Sequence, residues 1–282
     1  MFITENPFSL LSETLPVSFI QAYVILMFVL VVGGTIIDVV HKKSAEYFFQ
    51  NAERAKKNAK RQLSAGDKSS VLVKTIAEDV LTSGEFCNPN RRMSHLLGMY
   101  GFIFFVLSTA VMVFSYPTAG DATPVLWPLL WHLGAAMVVF GGAWFWFFIR
   151  VDVSAEGHAW NRLVRADLFI LSLLATTATG LLWSFFQSVQ SQPWATLFLA
   201  LFIVSSAVLF GGVLWSKFAH MFFKPAAAYQ KRIAKADGSL DMLPEPADRT
   251  NPADRDRHSM ELLKNEPMNM GLGIKREQPH HY

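Results

Sequence analysis

Residues 91–102, RRMSHLLGMYGF, place two arginines and a histidine at the start of a long apolar run. The run continues to about residue 115 without another Asp, Glu, Lys or Arg, which is longer than the core helix of a soluble protein requires. Because a helix rises about 1.5 Å per residue, roughly 20 residues cross the apolar core of a bilayer. The stretch therefore predicts a membrane-spanning helix with a titratable ring just inside its charged end.

The rest of the chain has the same character, since 52% of its residues are hydrophobic and 13% are aromatic. Five segments are long and apolar enough to span a membrane, at about 17–40, 93–115, 126–149, 164–186 and 195–222. The first segment does not resemble a cleavable signal peptide, because its N-terminal flank has no basic residue and its apolar run is too long. We therefore predict an all-α integral membrane protein, a bundle of five transmembrane helices.

The distribution of Lys and Arg predicts the orientation of this bundle. These residues are concentrated in 41–92 and absent from 116–125 and 187–194. By the positive-inside rule, we expect the N-terminus outside and the C-terminus in the cytoplasm. Topology and attraction to anionic membrane lipid explain such a basic face, so no nucleic-acid partner is expected.

The sequence divides into four parts. They are an N-terminal segment with the first span (1–40), a basic cytoplasmic loop (41–92), a four-helix membrane core (93–223) and a cytoplasmic tail rich in Pro and charge (224–282). The tail has too few apolar residues to fold alone, so we expect it to be disordered without a partner; a tail that binds nothing is the alternative. Within the loop, residues 44–64 predict a basic helix that lies on the membrane surface or against a partner.

Cysteine and motif content leave histidine as the candidate for chemistry. The single cysteine, Cys87, cannot form an intramolecular disulfide or hold an iron–sulfur cluster, so any cluster must belong to a partner. The sequence contains no nucleotide-binding, serine-hydrolase or zinc-protease motif.

Four of the eight histidines fall at membrane depth: His41, His95, His132 and His220. His95 lies three residues after Arg92, at the start of the second span, and His220 lies four residues before Lys224, at the end of the fifth. These two spans run in opposite directions, so both rings are expected at nearly the same depth. This is the arrangement that two axial ligands of one haem iron require.

The other two histidines are weaker ligand candidates. His132 follows Pro128 near the opposite end of the third span, too far away to share that iron. An inter-helix hydrogen bond and a contact with quinone remain its two alternatives. His41 lies at the end of the first span and is a reserve ligand.

Residues near the proposed ligand pair are compatible with haem. Gly98 and Gly101 follow the first histidine at three and six residues, and small residues let a flat macrocycle approach a helix. Arg91, Arg92 and Lys217 lie within about one turn of the two histidines, where they could reach haem propionates. Basic residues also extend toward lipid headgroups in proteins without haem, so these three residues alone do not show that a haem is bound.

Three stretches resemble a known family of membrane cytochromes. RRMSHLLGMYGFIFFVLST (91–109), VRADLFILSLLATTATGLL (164–182) and LWSKFAHMFFKPAAAYQKR (214–232) resemble the second, fourth and fifth helices of the nitrate reductase gamma-subunit family. The most specific part is S-K-F-x-H-M-F-x-x-P at 216–225. Residues 78–102 are most similar to the membrane part of the C subunit of quinone-interacting oxidoreductases, whose iron–sulfur domain has no counterpart in this sequence.

The resemblance implies one haem b, held by His95 and His220 on the cytoplasmic side. The second, outer haem of nitrate reductase would need ligands near Phe105 and Phe202, and phenylalanine cannot bind iron. One haem is therefore expected.

The resemblance also implies the partners. A cytoplasmic iron–sulfur flavoprotein would dock on a membrane anchor of this kind in the bacterial inner membrane, with adenylylsulfate reductase of sulfur oxidation as the implied enzyme. The anchor would pass electrons between that enzyme and quinone, and alone it would catalyse nothing. A haem-free anchor is the alternative. A transporter is disfavoured, because no span is clearly broken and no carboxylate falls at mid-membrane.

Overall fold

The computed structural model describes residues 2–41, 44–86, 88–152, 157–216, 218, 220–241 and 243, and throughout them the regular structure is helical. In chain order the α-helices are α1 (Pro7–Leu11), α2 (Val17–His41), α3 (Ser44–Lys57), α4 (Ala65–Lys74), α5 (Pro89–Ser115), α6 (Leu126–Trp144), α7 (Leu168–Ser188), α8 (Gln192–Gly211) and α9 (His220–Ala236). Short 3₁₀ segments occur at Phe2–Thr4 and Arg165–Asp167, and π-helical segments at Thr75–Leu81 and Phe145–Ile149 continue α4 and α6. Lys217, Cys87 and the tail beyond 243 lie outside the described residues.

Five helices are long and apolar enough to cross a membrane. They are Val17–His41, Pro89–Ser115, Leu126–Ile149, Arg165–Ser188 and Gln192–Gly211. The all-helical fold with five apolar spans is thus confirmed. The sequence predicts these helices well because an uninterrupted apolar run of this length is a local property.

The spans pack as two antiparallel hairpins, α5 with α6 and α7 with α8, joined through α6 and α7, while α2 lies against α8 and α5. Glycine allows the closest approach between α5 and α6: a Cβ added at Gly101 would lie 2.6 Å from the Gly134 carbonyl oxygen. We call the end at which α2, α6 and α8 finish and α5 and α7 begin the basic end of the bundle.

The fifth span is shorter than predicted. It ends at Gly211 rather than near residue 222, and 212–216 form turns. The Gly211–Gly212 pair permits the exit, since a Cβ added at Gly212 would lie 2.5 Å from the Val208 carbonyl oxygen. Residues 224–236, which the sequence assigned to the tail, belong to α9.

At the basic end, α3, α4 with its π-helical continuation, and α9 pack together; we call them the loop module. Arg232 of α9 forms ion pairs with Asp79 and with Glu78, the latter at 2.7 Å. Lys231 of α9 lies 3.4 Å from Glu85. The first part of the predicted tail is therefore bound to the predicted loop.

The opposite end of the bundle is covered by the N-terminal segment. Asn6 caps α1 with its side-chain oxygen and donates from its amide nitrogen to the Tyr116 carbonyl and the Thr123 hydroxyl, at 3.0 and 3.1 Å. The buried Phe8 ring packs edge-on against Trp131 and Trp183.

Candidate functional site

The start of α5 sets the position of the first predicted ligand. Asn88 accepts hydrogen bonds from the backbone N–H groups of Asn90 and Arg91, at 2.9 and 3.2 Å, and Pro89 occupies the first helical position. An Asn cap followed by proline is a strong helix start, because it satisfies otherwise unpaired donors and fixes φ. His95 therefore lies in the second turn of a well-capped helix.

The ring of His95 contacts the loop that precedes α5. Its Nδ1 lies 3.0 Å from the Ser83 hydroxyl, and the Phe86 ring lies 4.9 Å away between centroids. A tautomer in which Nδ1–H donates to Ser83 leaves the Nε2 lone pair as the possible metal donor. Hydrogen bonds of this kind orient metal-binding histidines in many proteins.

Ser83 is held in place at a conformational cost. Ser83 is only 2% exposed, and its φ of 50° lies in the left-handed region that non-glycine residues rarely occupy. The next residue, Gly84, donates its N–H to the Glu78 carbonyl at 2.7 Å, and a Cβ there would lie 2.8 Å from the same oxygen. Strained backbone of this type often accompanies functional sites.

The predicted propionate partners have different positions. Arg92 donates from Nε to the Thr82 carbonyl at 2.7 Å, so in this structure it binds the loop. Arg91 is half-buried in the first turn of α5. Lys217 lies outside the described residues. The Nε of Arg92 thus binds the loop that folds back along α5, and its contact with a propionate stays a prediction.

The two glycines predicted to lie beside a haem differ in the space around them. A Cβ added at Gly98 would meet no atom within 4 Å, so this position faces open space. Gly101 instead faces α6 at the close contact with Gly134. Gly98 lies where the macrocycle was expected, whereas Gly101 is accounted for by helix packing.

The second predicted ligand, His220, begins α9, and its side chain lies outside the described residues. Two residues earlier, the buried Phe218 ring packs against Phe102 and Phe210, with centroids 6.3 and 6.1 Å apart. Phe102 lies two turns after His95 and near the same face of α5. The structure therefore brings that face of α5 and the segment leading into α9 to the same corner of the basic end.

The residues on the α5 side fit a haem: a histidine ring with a hydrogen-bonded Nδ1, open space at Gly98 and an adjacent apolar group at Phe102. His95 and His220 would hold the iron, and the aromatic corner would contact the macrocycle. Among the described residues, no group of three or more His, Cys, Asp or Glu side chains could hold a metal ion alone.

The buried histidine of the described residues, His132, forms hydrogen bonds from both ring nitrogens. His132 Nδ1 lies 2.7 Å from the Pro128 carbonyl and Nε2 lies 2.8 Å from the Ser184 hydroxyl. Because a carbonyl can only accept, Nδ1 carries the proton and Nε2 accepts from Ser184. Phe2 also covers the ring edge-on at 5.3 Å. Of the two alternatives for His132, the structure contains the hydrogen bond between helices.

Phe105 and Phe202, which stand where outer haem ligands would be required, contact each other in the core. Phe105 stacks on Trp131 at 5.0 Å, Phe202 stacks on Trp183 at 5.5 Å, and the two phenylalanine rings lie 6.4 Å apart. All four rings are buried. An aromatic cluster therefore occupies the positions at which the family resemblance would require the outer ligands.

Two polar features near the basic end could not be predicted from the sequence. One is Ser83. The other is the buried pair of Arg150 with Asp167, 2.5 Å apart, in which Arg150 also donates to the Ala159 and Arg162 carbonyls. A lone arginine at a span end is usually exposed to headgroups, so burial could not be inferred from composition.

The charged contacts of the loop module are strong. The hydrogen-bonded Arg232 guanidinium lowers the pKa of the Asp79 carboxyl from its ordinary value, and Asp79 in turn raises the pKa of Arg232. Both groups therefore remain charged at neutral pH. The pair links α9 to the π-helical segment that leads to Ser83.

Comparison with protein-family models, curated proteins and solved structures finds no match to this chain. The family resemblance thus rests on the sequence stretches alone, and what it implies about haem, quinone and partners stays a prediction.

Proposed function

We propose that this protein is the membrane subunit of a quinone-linked oxidoreductase complex, with one haem b between His95 and His220. The observation that carries the proposal is the hydrogen bond from His95 Nδ1–H to the Ser83 hydroxyl, beside open space at Gly98 and the aromatic corner that leads to α9. A six-coordinate haem at this position would supply one-electron transfer and leave no site for a substrate.

The orientation follows from charge. We infer that the basic end faces the cytoplasm of a bacterial cell, because Lys and Arg are concentrated there and absent from the connections at the other end. The loop module then forms a cytoplasmic docking surface. Its exposed Lys56, Lys57 and Lys60 would favour an acidic face on the docked enzyme.

The docked enzyme supplies the substrate chemistry. An iron–sulfur flavoprotein fits this role, since the chain has one cysteine and no cluster site of its own. Adenylylsulfate reductase is the partner that the sequence resemblance implies. Electron transfer to quinone would take place in the basic half of the bundle, because aromatic rings pack the other half.

A haem-free anchor is the second candidate, and the exposure of His95 favours it. In that case the loop module alone would carry the function, by holding a soluble enzyme at the membrane.

A spectrum of the protein purified from haem-replete cells distinguishes the two candidates. The proposal predicts a b-type α-band in the reduced-minus-oxidised difference spectrum. When a quinone analogue is added to the reduced protein, the haem should be oxidised and the α-band should disappear. A spectrum without the band would leave the haem-free anchor. Copurification from native membranes would identify the docked enzyme in either case.

A further inference from the structure

The helix formed by Ala65–Leu81 carries an apolar stripe on its outer side. Leu72, Val73, Ile76 and Leu81 are 46%, 66%, 45% and 48% exposed. The other side of this helix packs on α9, where Asp79 forms an ion pair with Arg232, and Thr75 is buried. Four large apolar side chains are therefore directed away from the packed side of the module.

The position of Leu81 shows what lies next to this stripe. Its carbonyl accepts a hydrogen bond from the Tyr100 hydroxyl at 2.7 Å. Tyr100 lies on the same side of α5 as Met93, Ile103 and Leu107, which are exposed on a span that is long and apolar enough to cross a membrane. The C-terminal end of the Ala65–Leu81 helix thus lies beside the lipid-facing side of the bundle.

The depth of the contact agrees with this placement. Tyr100 is eight residues after Arg92, about 12 Å further along the helix axis. Even with the tyrosine side chain directed back toward the helix start, the Leu81 carbonyl lies on the apolar side of Arg92. Lys68 and Lys74 are exposed on other faces of the same helix, within reach of anionic headgroups.

We propose that Ala65–Leu81 is an interfacial membrane helix, whose stripe of Leu72, Val73, Ile76 and Leu81 lies in the headgroup and acyl-chain boundary of the lipid. For 44–64 the sequence predicted a basic helix on the membrane surface or against a partner; in the structure Ala55 of α3 is buried. The occupant of the stripe is lipid because the stripe continues the lipid-facing side of α5. This inference depends only on the membrane spans and not on the presence of haem.

Spin labels on the full-length chain in lipid nanodiscs test the proposal. In a background with Cys87→Ser, labels are placed by Val73→Cys and Ile76→Cys, with Leu107→Cys as the lipid-facing reference and Ser70→Cys and Lys74→Cys as controls. Collisions with dissolved oxygen and with a water-soluble nickel chelate are measured for each label. We expect labels 73 and 76 to favour oxygen, as label 107 does, and labels 70 and 74 to favour the nickel chelate.

Preferential collision of labels 73 and 76 with the nickel chelate would overturn the proposal and leave the stripe as a surface for a docked protein. The unsubstituted chain provides a second measurement. A membrane-dissolved carbene reagent should modify the peptide containing residues 72–81, and an unmodified peptide beside a modified α5 would contradict the lipid contact.

Discussion

A single hydroxyl, that of Ser83, orients the candidate ligand His95. The contact bridges 12 residues and depends on a left-handed backbone at Ser83. Ser83 is buried whereas His95 is exposed, so this hydrogen bond holds the buried side of the ring. Ser83 is thus a positioning residue for any chemistry at His95.

Ser83→Ala is expected to free the His95 ring without a new steric conflict. In haem-loaded protein, loss of this hydrogen bond should shift the midpoint potential and the largest g-value of the low-spin signal. Ser83→Gly, which accepts a φ of 50° at no steric cost, should give the same shift with equal or higher stability. Ser69→Ala removes a hydroxyl that binds only the Ala65 carbonyl and serves as the control. A wild-type potential in both Ser83 variants would contradict the role.

The buried Arg150 is a stability determinant at the end of α6. Arg150→Met would leave two carbonyls without this donor and Asp167 with the Val164 N–H but no cation, and loss of one partner of a buried ion pair typically costs about 3–5 kcal/mol. The thermal unfolding temperature in detergent micelles should therefore fall by a large amount. Arg162→Met removes an exposed arginine of the same connection and should change little. Equal effects of the two substitutions would argue against burial of the pair.

At the scale of helices, Gly98 and Gly101 form a matched pair three residues apart. Gly101→Ala forces α5 from α6, because the new Cβ would lie 2.6 Å from a carbonyl oxygen, and overpacking costs about 1–3 kcal/mol. Gly98→Ala has space and gains helix propensity of about 1 kcal/mol. The thermal unfolding temperature should therefore lie below that of the wild type for Gly101→Ala and above it for Gly98→Ala. Destabilisation by Gly98→Ala alone would show that α5 packs on another face.

The link between α9 and the π-helical segment is expected to fail in acid. The pKa of Asp79 is lowered by its hydrogen bond to Arg232, so the contribution of the pair is complete above the ordinary pKa of about 4 and is lost as pH falls through the lower folded value. The protection factors of the α9 amides, which correct exchange rates for their intrinsic pH dependence, should be unchanged between pH 5 and 8 and lower below pH 4. Asp79→Asn should weaken α9 by about 1–2 kcal/mol at pH 7 and abolish this pH dependence. The same acid response in the variant would exclude Asp79 as its cause.

The sequence predicted the spans but not the end of the fifth. The apolar pattern continues past Gly211, and only the turn geometry of the Gly211–Gly212 pair shows that the helix stops there. Likewise, α9 has buried alanines at 228 and 234, whose spacing is compatible with a packed helix, but its partner is an ion-paired segment 153 residues earlier. Long-range pairing of this kind has no local signal.

The candidate site was predictable only in part. The sequence placed His95 and His220 at one end by their depth along two spans, but the fifth span ends at Gly211 and His220 begins α9. The structure nevertheless brings Phe218, two residues before His220, against Phe102 of α5. Sequence could not show that Arg92 would bind the Thr82 carbonyl, since this requires the loop to fold back on α5. The absence of ligands at Phe105 and Phe202 was visible, whereas their contact in one aromatic cluster was not.

As a whole, the molecule has two unlike ends. One is closed by aromatic packing under the N-terminal segment, and the other carries the basic, ion-paired loop module beside His95. The proposed electron transfer through one haem, with a docked enzyme at the basic end, is consistent with this asymmetry.

The most direct test of the central claim is the haem content of purified variants, measured as pyridine haemochrome per chain. We predict one haem b per wild-type chain, none in His95→Ala or His220→Ala, and one in His132→Asn, which alters the histidine at the closed end. Wild-type protein without haem from haem-replete cells, or a His220→Ala variant that keeps its haem, would contradict the account.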